Sequence, residues 1–179
     1  MIFSGIMRAI RTAVSLLPLA GLIVASLAIA AQAQQSLPAA IAVPDTSAVM
    51  TAHGVGAQIY ECVADASGKR GWQFREPVAT LLIDGRTVGR HFAGPSWELP
   101  DGSLIVGKVV GRAPGATGDD IPWLKLEPAT GHGSGQFVAV TIIQRINAKG
   151  GALAGGCDKA GDLVAVPYAS DYVFLKPGN

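Results

Sequence analysis

Charge is scarce in this sequence. Asp, Glu, Lys and Arg make up 15% of its 179 residues, and the formal balance is +1 at neutral pH. A chain that grips nucleic acid or an anionic membrane needs a basic excess, so both are set aside as partners. Glutamate is sparser still, confined to Glu61, Glu76, Glu98 and Glu127. Glycoside hydrolysis needs two carboxyls roughly 5–10 Å apart across a cleft, and no such pair is assignable. The two cysteines, Cys62 and Cys157, stand far apart with no neighbouring His pair, which excludes zinc-ligand spacing. Neither a dinucleotide-binding GxGxxG nor a phosphate-cradling Walker loop occurs, and no cofactor or metal is expected. No apolar stripe of period 3.6 lasts three turns downstream of the N-terminus. A parallel α/β sheet, which needs crossover helices, is thereby excluded.

One long apolar run is present, and it lies at the start. Arg8 and Arg11 precede an apolar stretch from Ala13 to Ala31, and small residues follow in Ala28-Ile29-Ala30 and Ala31-Gln32-Ala33. Positive flank, apolar middle and A-x-A exit describe a secretory signal peptide over 1–33, cleaved after Ala33 or alternatively after Ala30. The other reading is an uncleaved anchor, since about 20 apolar residues span a bilayer, although Pro18 and Gly21 weaken it as a helix. No Cys near the exit offers a site for lipid. A periplasmic or secreted product, with no membrane span after cleavage, is the expectation. Without Arg8 and Arg11, 12 basic residues face 13 acidic ones. In an oxidising compartment Cys62 and Cys157 are expected to pair, against the alternative of two buried thiols.

Residues 34–54 read as an extended leader, and 55–179 as a single β domain of size sufficient for a real core. Gln58 to Val63 alternates with Tyr60 and Cys62 on one face. Asp65 to Lys69 is turn chemistry, and Gly71 to Arg75 returns with Trp72 and Phe74 together. Val78 to Ile83, the Asp84-Gly85 turn and Thr87 to Phe92 follow. Ser103 to Val110 alternates well. Gly111 to Asp120 is a loop, and Pro122 demands an edge or first position in the next strand. Gln136 to Ile146 is the most β-rich segment, Asn147 to Gly156 reads as loop, and Val164 to Pro167 and Tyr172 to Leu175 close the chain. Many short antiparallel strands with Gly/Pro turns predict an all-β fold, a β-sandwich or small barrel.

Several of these segments, taken in order, resemble the DUF3455 family of exported proteins of unknown function. They are Gly56-Ala57-Gln58-Ile59-Tyr60-Glu61-Cys62, Trp72-Gln73-Phe74 with Pro77, and Asp84-Gly85. They continue with Val88-Gly89-Arg90-His91-Phe92-Ala93-Gly94-Pro95-Ser96-Trp97, Asp101-Gly102-Ser103 and Ile121-Pro122-Trp123-Leu124. Gly150-Gly151 before Cys157 and Val166-Pro167-Tyr168 complete them. The resemblance implies an exported domain and supplies no functional residues.

The densest chemistry lies in Arg90 to Trp97. His91 and Trp97 could line a pocket mouth with Arg90, Asp101 or Trp123 nearby, since a His beside an aromatic face can bind a sugar, an anion or a metal. The plainer reading makes His91 a hydrogen-bonded core histidine and Trp97 packing. Asp119-Asp120 offer oxygen ligands for calcium but lack the D-x-D-x-D-G pattern, and a solvated loop accounts for them. Gly131-His132-Gly133-Ser134-Gly135 is not a G-x-S-x-G nucleophile elbow, because its third position is Gly133 and a strand follows rather than a helix.

Two functions remain open. One is a non-enzymatic binding or envelope-associated module with its pocket near His91 and Trp97, its partner a small molecule or envelope component. The other is a small extracytoplasmic hydrolase pairing His91 with Asp101, Asp119 or Asp120. Fold alone does not decide between them.

Overall fold

Asp84 and Gly85 both take positive φ, 49° and 73°, which gives the tight turn whose twist matches that of the flanking strands. Such short connections organise the chain. A computed structural model describes residues 37–178; the export segment and its cleavage positions lie outside the described residues. The strands are β1 (Thr46–Ala64), β2 (Arg70–Ile83), β3 (Arg86–Phe92), β4 (Ser96–Glu98), β5 (Leu104–Ala113), β6 (Trp123–Pro128), β7 (Ile142–Gly150) and β8 (Leu163–Pro177), with a 3-10 turn at Gly135–Phe137. Each strand pairs antiparallel with the next, and β8 returns to β1. The result is an all-β, up-and-down barrel of eight strands. Closure removes the free edges that an open sheet would expose.

Period-two alternation sends one set of side chains inward and the other outward. The interior holds Leu81, Trp97, Ile105, Leu126, Ile143, Tyr172 and Phe174, each buried. The outer wall carries charge in mid-strand. Lys108 stands opposite Glu127, and His53 Nδ1 lies 2.8 Å from Asp171 Oδ1. Val55, Val78 and Val110 are exposed as well, so the strands carry a mixed exterior rather than a continuous apolar belt. Among the described residues no helix is long and apolar enough to cross a membrane.

The two ends differ. At one end lie the β2–β3 and β4–β5 turns, the β6–β7 connection and the outer ends of β1 and β8. Phe137 and Val140 plug this end, each 1% exposed and joined to the main core. The segment 136–141, expected as strand, forms a turn instead. Gly135 takes φ +55°, Gln136 N–H donates to Ser103 Oγ at 2.8 Å, and Val140 N–H donates to the Phe137 carbonyl at 3.0 Å. Its apolar residues serve as a stopper. At the other end, Cys62 and Cys157 form a disulfide with Cα atoms 5.8 Å apart, which pins the β7–β8 connection to the end of β1.

The strands also run longer than the sequence suggests. Residues 46–54, expected as leader, are the first half of β1. Their inward positions are Met50, Ala52 and Gly54, and the last two are too small to announce a buried face. A Cβ on Gly54 would strike the Tyr172 ring. Asn147 to Gly150, expected as loop, extends β7 past a bulge between Ile146 and Lys149, with Asn147 at φ 53°. Ahead of β1, Ile41 is fully buried and its carbonyl accepts from Gln144 Nε2 at 2.7 Å, so this stretch is docked on the outer wall.

Candidate functional site

Residues paired directly across strands share a face, and two such rows build the interior site. The first runs Ala79–His91–Trp97–Ile105 from β2 to β5. The second runs Arg112–Leu124–Arg145–Tyr172–Ala52 from β5 through β8 to β1. Closing the sheet turns the rows toward each other. His91 and Trp97 stack with ring centroids 4.6 Å apart and planes 11° apart. Tyr172 lies 4.9 Å from His91 and 5.5 Å from Trp97, and Phe174 meets the indole edge-on, with centroids 5.9 Å apart. Gly107 makes room for this floor, since a Cβ there would sit 2.9 Å from Trp97 Cζ3.

Against this floor lies a cavity of about 430 Å³, within the size range of small-molecule sites. It runs from His91, Trp97 and Tyr172 to Phe74, Pro95 and Pro122, residues of the unplugged end. A bulge shapes the mouth. Ile59 pairs with Glu76 and Tyr60 with Phe74, leaving Arg75 without a partner on β1. The extra residue reverses the alternation of β2, so that Pro77, Arg75 and Phe74 all reach the cavity.

The polar groups of the lining are mostly donors. His91 is 2% exposed, and its Nδ1–H donates to the Ser96 carbonyl at 2.8 Å, which leaves Nε2 as an acceptor. Burial, above all, lowers its pKa from 6.5 to about 4, and the charge of Arg145 acts in the same direction; the ring is neutral at pH 7. Arg145 donates through Nε and Nη2 to the Pro122 carbonyl at 3.2 and 2.8 Å. Burial also draws its pKa below the usual guanidinium range, and Arg112 adds like-charge repulsion. Tyr172 and Tyr168 share a 3.0 Å hydroxyl contact, and burial pushes the Tyr172 phenol well above its ordinary value. Tyr60 donates to the Gly151 carbonyl at 2.7 Å. Among the described residues Gln58 Nε2 and Trp97 Nε1 are buried without a partner. The lining includes Arg75, Arg112 and Arg145 and, among the described residues, no carboxylate.

The structure therefore brings His91 and Trp97 together and puts the other named residues elsewhere. Arg90 alternates with His91 and so faces outward, where it pairs with Glu98 and covers the Phe92 ring with its guanidinium carbon 4.8 Å from the centroid. Asp101 sits in the β4–β5 turn at the plugged end, accepting from Ser103 N–H and Gln136 Nε2 at 2.9 and 2.8 Å. Trp123 precedes the inward Leu124 and packs in a separate cluster with Ile121 and Ala148. Asp120 is held by Gly150 N–H at 2.7 Å and by Thr117 Oγ1 at 2.9 Å. Among the described residues no three His, Cys, Asp or Glu side chains converge on a metal position.

Arg145, Arg112, Arg75, Gln58 and Tyr172 are among the lining residues that sequence reading did not single out as functional. A signal for Arg145 existed: it falls two residues after Ile143, on the inward phase of a strand, where an unpaired charge is unusual. Gln58 likewise shares its phase with Tyr60 and Cys62.

No curated protein matches the chain, and no solved structure does. A family model described as a protein of unknown function, DUF3455, matches residues 43–85 and 82–176, and so nearly the whole barrel. The chain belongs to the DUF3455 family of proteins of unknown function.

Proposed function

We propose that this protein is an exported, non-enzymatic binding module that holds a small molecule inside its barrel, on the floor made by His91 and Trp97. The carrying observation is the cavity of about 430 Å³, stoppered at one end and open toward the other. Eight strands enclose a space that side chains just fill or that one small ligand occupies; here the aromatic floor fills one part and leaves the rest vacant. Export is supported by the N-terminal sequence pattern and by the Cys62–Cys157 disulfide, a bond that persists in oxidising compartments, and a periplasmic or secreted location follows. A binding role rather than hydrolysis is supported by the state of His91. Its Nδ1 is committed to a backbone carbonyl, and no carboxylate lines the cavity to orient it as a base.

The test uses 8-anilinonaphthalene-1-sulfonate with the folded, oxidised protein. One probe per barrel is expected, with enhanced probe emission and quenched tryptophan emission. Val109→Trp, which places an indole in the cavity, should abolish binding while the β-type circular dichroism persists. No binding to the native barrel, or binding indifferent to Val109→Trp, would refute the reading.

A further inference from the structure

We infer that the occupant is an organic monoanion, a carboxylate on an apolar body, whose charged group is received by Arg145 and Arg112. The inference rests on the binding reading above and specifies its ligand.

A partly buried guanidinium ordinarily stands beside a carboxylate, because an uncompensated charge away from water is costly. Arg145 and Arg112 lie on the inward row on either side of Leu124. Among the described residues neither has a carboxylate within 4.0 Å. Arg145 is instead aimed by its two bonds to the Pro122 carbonyl. A carbonyl fixes the orientation of a guanidinium without cancelling its charge. Arg145 is half-buried and Arg112 is exposed to solvent, and among the described residues the cavity that both line presents no carboxylate. The second observation is independent of charge. Gln58 Nε2, on a side chain 2% exposed, and Trp97 Nε1, on one 1% exposed, have no acceptor, and buried donors of that kind are rarely left unmade. An occupant that supplies negative charge answers the first shortage; the two donors are covered by neighbouring side chains and are reached only if the lining shifts.

The remaining lining limits the rest of the molecule. Leu124, Leu126, Ile121 and Val109 offer apolar wall, and burying apolar surface there favours a hydrocarbon or aromatic body. A cationic ligand meets two guanidiniums. A neutral one leaves the half-buried charge of Arg145 uncompensated. Arginine suits a carboxylate geometrically, since its planar fork can donate two parallel bonds to the two oxygens.

Calorimetry with octanoate, octanamide and octylammonium on the oxidised protein tests the assignment. Octanoate is expected to bind at one site, octanamide at least about tenfold more weakly, and octylammonium not at all. Arg145→Gln should weaken octanoate by about 10- to 100-fold and leave octanamide unchanged. Arg112→Gln should act in the same direction. Arg112 makes no side-chain hydrogen bond among the described residues, so this variant carries the test if loss of the Pro122 contacts prevents Arg145→Gln from folding. Octanamide binding as tightly as octanoate would overturn the anion assignment while leaving the cavity reading intact. Anilinonaphthalenesulfonate bound in the cavity with octanoate ignored would also overturn the carboxylate. Failure of all these probes would remove both.

Discussion

Acidification should loosen this barrel through one imidazole. His91 Nδ1 is committed to the Ser96 carbonyl, so an added proton must go to Nε2, inside the barrel. There the resulting cation would lie against Trp97 and Tyr172, in the field of Arg145. Burial and that field hold the folded pKa at about 4, against 6.5 for a free imidazole. Between these values the unfolded chain binds a proton that the folded chain refuses. The stability at issue is therefore present above pH 6.5 and is lost as pH falls toward 4. At about 1.4 kcal/mol per pH unit, lowering the pH from about 7.5 to about 4.5 removes roughly 2.5 kcal/mol. Depressed carboxylates act in a lower window. Asp65, Asp101 and Asp120 are held below 3.8, chiefly by hydrogen bonds from Ser67, Gln136 and Gly150 respectively, so their share is lost only as pH falls through that region. Urea denaturation at a series of pH values measures the loss, and His91→Gln, which can still donate a hydrogen bond but does not titrate, subtracts everything else. The wild type should lose about 2–3 kcal/mol more than the variant over this range. Equal losses would refute the claim that His91 is forced to stay neutral.

Two further predictions concern stability. Replacing both Cys62 and Cys157 with Ser opens a loop of 95 residues and should cost about 4.7 kcal/mol on the chain-entropy account, read as the shift between urea curves of the oxidised wild type and the double variant. Gly107→Ala adds a methyl 2.9 Å from Trp97 Cζ3 and 3.0 Å from Leu126 Cδ2; it should destabilise by about 1–3 kcal/mol and alter the near-ultraviolet dichroism of the buried indole, whereas an unchanged band would mean that the floor is looser than described.

The strand-and-turn texture was legible because alternation and turn chemistry are local. Asp84-Gly85 marked its turn, and Tyr60 and Cys62 were read on one face, as found. Three features resisted. Ala52 and Gly54 face inward with almost no side chain, because Tyr172 from β8 fills their space, a cause 118 or more residues away in sequence. Phe137 and Val140 have strand composition but are spent on stoppering the barrel, which only the closed structure makes necessary. The bulge at Arg75 reverses the facing of β2 midway, and no composition rule marks where an unpaired residue will sit.

The site was half legible for a related reason. His91 and Trp97 were found together because they occur near each other on a hairpin, where β3 and β4 bring them opposite. Arg145 and Tyr172 come from the far wall, and only closure between β8 and β1 carries them to the same space. Sequence proximity instead suggested Arg90, which alternation turns outward. In an open sandwich, an arginine on the inward phase of β7 would have been buried against a second sheet and selected against unless paired. In a closed barrel with a vacant end, the same arginine can keep its charge facing the cavity without an internal counter-ion. The unpaired charge and the cavity thus have one origin. The interior is incompletely filled by its own side chains, and the groups left unsatisfied around that space describe the chemistry of whatever completes it.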